Sequence, residues 1–169
     1  TELWGGAVPA GSATETDVIR FAESLFTDGE NPVPGTITLG GTALVVTDKL
    51  DIEGPGADLL AVDANQSSRV FWIAGGAKAT LSGLTVTGGS VAGTGGGICV
   101  SSSSLTVVNS TISGNAATGS SGTGGGIGAS ISTDVLALVG STVSENVADV
   151  GGGGIYSTGV LNVTNSTIS

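Results

Sequence analysis

Apolar and polar residues alternate in short runs along most of this chain, and the runs fall into register with one another. Four of them align residue for residue: ATLSGLTVTGG from Ala79, LTVVNSTISGN from Leu105, LALVGSTVSEN from Leu136 and LNVTNSTIS from Leu161. Alternation over so few residues marks a half-buried β-strand rather than an amphipathic helix. In the alignment Leu81, Val107, Leu138 and Val163 form one apolar column, and Val86, Ile112, Val143 and Ile168 form a second. Both columns are predicted to face an interior. The phrase NSTIS stands at 109–113 and again at 165–169, with the near copy GSTVS at 140–144.

The aligned runs start 26, 31 and 25 residues apart, and periods of roughly 20 to 50 residues belong to solenoids and repeat arrays. A second marker, GGGI, ends at Ile98, Ile127 and Ile155. Its glycines suit a corner where the chain turns sharply and approaches its neighbour, and the isoleucine opens a new strand. The length differences fall in TGSSGTGGG and VADVGGGG, as outward loops would have them. The pattern predicts an all-β, right-handed single-stranded parallel β-helix in which each coil carries about three short strands and stacks on the next at about 4.8 Å. Asn115 and Asn146 occupy matching positions, so they form either an internal amide ladder or ordinary loop residues.

Upstream the repeat is weaker. LVVTDKLDIEGPG from Leu44 matches the first run with Ile52 in the place of Val86, and SRVFWIAGGA reads as an intervening strand. TDVIRFAESLFTDG suggests a short helix, or a strand and turn, lying over the open end that a solenoid must protect. The domain reading is therefore an N-terminal segment and cap over 1–40, followed by one continuous stack of β-helix repeats over 41–169.

IRFAESLF, TITLGGTALVVTDKLDIEGPGADLLAVDANQSSRVFWI, ATLSGLTVTGG and the recurring GGGI…NSTISGN resemble bacterial right-handed β-helix repeat proteins of the cell surface. These are similar in style to the repeats of polymorphic outer membrane proteins and, more distantly, to the pectate-lyase-like superfamily. The resemblance covers roughly 17–169. It implies an extracellular or cell-surface location and a passive shaft with an adhesive or anchoring role. The Phe-x-x-Asn boxes of the polymorphic proteins are missing, so their particular adhesive role does not carry over.

Charge narrows the classes. The net charge is -10, with eleven of 14 acids before residue 64 and all four bases (Arg20, Lys49, Arg69, Lys78) in the first half. No basic patch exists to neutralise phosphates, which excludes nucleic acid as a partner. No run approaches the roughly 20 apolar residues of a membrane helix. TELWGG lacks the basic start and apolar middle of a signal peptide, so the chain reads as mature or as a fragment. Cys99 is the single cysteine and there is no histidine; between Ile98 and Val100 it reads as a small buried hydrophobe.

Candidate chemistry is sparse. Asp51 and Glu53 flank Ile52 on one strand face and are the best acid pair, although Thr85 and Thr87 stand in the matching places one coil on and supply no partner carboxylate. Asp134, Glu145 and Asp149 have no visible companions. Thr85/Thr87, Thr111/Ser113, Thr142/Ser144 and Thr167/Ser169 give two rows of hydroxyls of the kind that ice-binding solenoids use, degraded by serine in the second row. Asn65, Asn109, Asn162 and Asn165 each begin an Asn-x-Ser/Thr acceptor triplet for glycans. The final NSTIS leaves Leu161, Val163 and Ile168 on a bare rung, which makes them candidates for self-association. The reading is a non-catalytic structural module of a secreted or cell-surface shaft without a cofactor. Its partners are further copies of itself, stacked head to tail into a filament, or cell-surface glycans and proteins. A glycan-binding adhesin, a polysaccharide lyase or hydrolase, and an ice-binding solenoid are the alternatives.

Overall fold

The structure is a computed structural model that describes residues 15–169. It is an all-β parallel solenoid of about five turns. The first sheet stacks Asp17–Arg20, Leu50–Glu53, Lys78–Ser82, Ser104–Val108, Val135–Val139 and Val160–Thr164. The second stacks Gly35–Thr38, Leu60–Asp63, Thr85–Thr87, Thr111–Ser113, Thr142–Ser144 and Thr167–Ile168. The third stacks Leu44–Val46, Phe71–Ile73, Ile98–Val100, Ile127–Ala129 and Ile155–Ser157. A smaller fourth sheet of Ser90–Thr94, Ala116–Thr123 and Val147–Ala148 widens the later coils between the second and third.

Side chains alternate across each strand, so one set from every sheet meets inside the coil. Leu81, Val107, Leu138 and Val163 are register partners in the first sheet. Val86, Ile112, Val143 and Ile168 are register partners in the second. In the third, Phe71, Ile98, Ile127 and Ile155 make one file and Ile73, Val100, Ala129 and Ser157 make another. Within the middle coils these residues are essentially solvent-free. Burying each large aliphatic side chain contributes about 1.5–3 kcal/mol.

Two expectations fail in the early coils. Ile52 pairs with Leu81 in the first sheet, not with Val86, whose partner one coil earlier is Val62. Accordingly Asp51 and Glu53 are matched by Thr80 and Ser82, not by Thr85 and Thr87. The cause is the GPGADL segment at 54–59, an insertion between the first and second sheets that makes the end of one strand resemble the end of the next. Asp17–Arg20 and Gly35–Thr38, both before residue 41, already belong to the sheets. Between them a 3-10 turn at Glu23–Leu25 and a two-stranded hairpin, Thr27–Asp28 with Asn31–Pro32, seat Phe26 in the core. Phe21 meets Phe26 edge-on, ring centres 6.3 Å apart. Residues 1–14 of the expected cap lie outside the described residues.

Candidate functional site

The corner between the first and second sheets explains the repeated phrase. Gly83, Asn109, Gly140 and Asn165 occupy equivalent places and all have positive φ (61, 46, 59 and 49°). Glycine and asparagine tolerate this left-handed conformation best, which is why the phrase begins with one or the other. The next residue in the last three coils is Ser110, Ser141 and Ser166. The Ser110 hydroxyl donates to Val108 O, that of Ser141 to Val139 O and that of Ser166 to Thr164 O. Each hydroxyl also accepts from the coil before it: Leu84 N–H donates to Ser110 Oγ, Ser110 N–H to Ser141 Oγ and Ser141 N–H to Ser166 Oγ, at 3.0–3.3 Å.

The corner that follows the second sheet holds the amide ladder. Asn115 is 1 % exposed. Its Oδ1 accepts the Gly89 N–H at 2.8 Å, while its Nδ2 donates to Val86 O, Ser113 O and Asn146 Oδ1 at 3.1, 3.0 and 2.9 Å. Asn146 repeats the arrangement by accepting the Asn115 N–H and donating to Ile112 O. The GGGI glycines pack against this ladder. A Cβ on Gly97 would lie 2.9 Å from the Asn115 amide carbon and 2.7 Å from Gly126 O, and one on Gly126 would lie 2.9 Å from the Asn146 amide nitrogen. The glycines are there because no side chain fits between the ladder and the adjoining backbone.

Asp134 is the polar residue that the sequence disguised best. Its carboxylate is fully buried and accepts N–H donors from Ser103 at 3.1 Å and Ile131 at 3.0 Å, tying one corner to the coil before it. Asp149 accepts from Gly119 N–H at 2.7 Å across the fourth sheet. A clue to these roles lies in the spacing: Asp134 immediately precedes the strand Val135–Val139, as Ser103 precedes Ser104–Val108.

The outward faces carry what recognition chemistry there is. Glu53 is held by Arg20, whose Nε and Nη2 reach its two carboxylate oxygens at 2.7 and 2.9 Å. Asp51 turns instead into a shallow depression of ≈ 430 Å³ on the first sheet, lined also by Lys49, Lys78, Thr80, Ser104 and Thr106. Asp51 and Glu53 therefore stand in different surroundings and do not act as one pair. Among the described residues, no group of three or more acidic, cysteine or histidine side chains converges on a metal position. The hydroxyl rows on the second sheet are interrupted by Ala61 and Asp63. The Thr85 hydroxyl donates to Ala57 O at 2.6 Å under the 54–59 segment, so the early part of that face is covered.

Cys99 departs from the buried-hydrophobe expectation. Ile98 and Val100 point inward, whereas Cys99 lies on the outward file of the third sheet between Trp72 and Gly128, half-buried. Burial pushes its thiol above the usual range; nearby Arg69 opposes the shift and Asp134 adds to it. Arg69 lies 5.6 Å from the Trp72 ring centre and donates to Thr94 O. Of the acceptor triplets, Asn65, Asn109 and Asn165 sit at exposed positive-φ corners, and Asn162 lies exposed within Val160–Thr164. The self-association candidates Leu161, Val163 and Ile168 are 41–46 % exposed on the last rung.

Comparison of the chain with protein-family models, curated proteins and solved structures finds no match. What the structure bears out of the resemblance is the parallel β-solenoid. No helix among the described residues is long and apolar enough to cross a membrane.

Proposed function

We propose that this chain is a non-catalytic structural module of a secreted or cell-surface shaft. The observation that supports it is the investment of the repeat in stacking: apolar files, a serine ladder, an amide ladder and corner glycines recur coil after coil. A coil built this way transmits length and stiffness along one axis, each rung contacting its neighbours. The outward residues of the later coils are mostly uncharged Ser, Thr, Ala and Gly, a surface suited to a shaft in solvent.

The exposed apolar edge at Val160–Thr164 and Thr167–Ile168 is the surface on which another copy would stack. In the filament version the joining coil is the one that begins at Asp17. Its Ile19 would continue the file of Val163, its Ile37 the file of Ile168 and its Leu44 the file of Ile155, since these residues head the same columns at the other end. Ile19, Ile37 and Leu44 are 40–45 % exposed, matching the opposite edge in apolar character. Such a head-to-tail contact does not close and gives open fibres. Sedimentation velocity with electron microscopy of the 169-residue chain tests it: rods that lengthen with concentration are expected, and only isolated short rods at every concentration would overturn the filament.

A second reading, glycan recognition, is favoured by one feature, the first-sheet depression with its two lysines, carboxylate and hydroxyls. Titration with acidic and neutral oligosaccharides, followed by product analysis, separates the readings. The structural module shows neither binding nor turnover, an adhesin binds without product and loses binding in Lys78→Gln, and an enzyme forms product that Asp51→Ala abolishes.

A further inference from the structure

We draw no further inference here: the strongest candidate, the exposed apolar patch of Val45 and Trp72 on the outward file of the third sheet, carries nothing because nothing in the structure shows what covers it.

Discussion

Replacing Asn115 by alanine isolates the amide ladder from the apolar files around it. The substitution leaves the Gly89 N–H without its acceptor in a buried corner and removes donations to Val86 O, Ser113 O and Asn146 Oδ1. An orphaned buried donor costs about 1–3 kcal/mol and each net hydrogen bond is worth about 0.5–1.5 kcal/mol. Water entering the vacated space recovers part of this, and about 4 kcal/mol of destabilisation remains. For a domain of this size that is a fall in Tm of about 8–16 °C. Asn146→Ala, at a more solvated rung and with three side-chain hydrogen bonds in place of four, should cost less by the same arithmetic, about 2–3 kcal/mol. Thermal and urea unfolding followed by far-ultraviolet circular dichroism reads both. If Asn115→Ala unfolds within 2 or 3 °C, about 1 kcal/mol, of the parent, the ladder is ornamental and the corner is held by its glycines alone.

Asp134→Ala strips the acceptor from two N–H groups in the interior and should cost about 2–4 kcal/mol, seen as a lower urea midpoint at unchanged slope. Gly97→Ala forces a methyl against the Asn115 amide and Gly126 O and should destabilise by about 1–3 kcal/mol. Gly151→Ala, with open space around the added methyl, should leave the midpoint the same or raise it by up to about 1 kcal/mol. Glu145 has a φ of 57° where Gly88 and Gly114 stand in the preceding coils, so Glu145→Gly should be neutral or stabilising by up to about 1 kcal/mol in the same assay. Because burial raises the Cys99 thiol, less thiolate exists at neutral pH than for a free cysteine. Iodoacetamide labelling should therefore be slow at pH 7.5 and accelerate as pH rises, and labelling as fast as for a free cysteine at pH 7.5 would contradict the burial.

The later coils are legible in the sequence because their strands alternate cleanly and carry almost no charge, so the two apolar columns coincide with the register partners. The early coils were misread where an insertion at 54–59 ends a strand in glycine just as a true corner does, which moved Ile52 to the wrong sheet. Asp134 and the serines were harder for a different reason. Ser110 and Ser141 are each 2 % exposed and Asp134 is fully buried, yet residue type predicts the surface for both. Only their equivalence from coil to coil betrays an interior task. Cys99 was misplaced because its neighbours are apolar, although alternation itself puts the middle residue of Ile98–Val100 on the outside.

Apolar files alone do not set the register of such a stack. A slip of two residues keeps every side chain on its own face, and Leu, Ile and Val replace one another with little penalty. The polar ladders remove that freedom. A coil displaced by two residues would bring Ser110 against a hydrophobic rung, take Asn115 away from the Gly89 N–H it satisfies, and push side chains into the space that Gly97 and Gly126 keep empty. Each misplacement leaves a buried polar group unpaired or a backbone overlapped, costs that hydrophobic gain does not offset. The uncharged phrase NSTIS is thus a set of addresses. Asparagine takes the left-handed corner, serine joins the ladder, threonine faces water and isoleucine enters the file. Coils that carry the phrase are thereby held in register by their corners as well as by their apolar files, whereas the early coils, which lack it, stack through the apolar files.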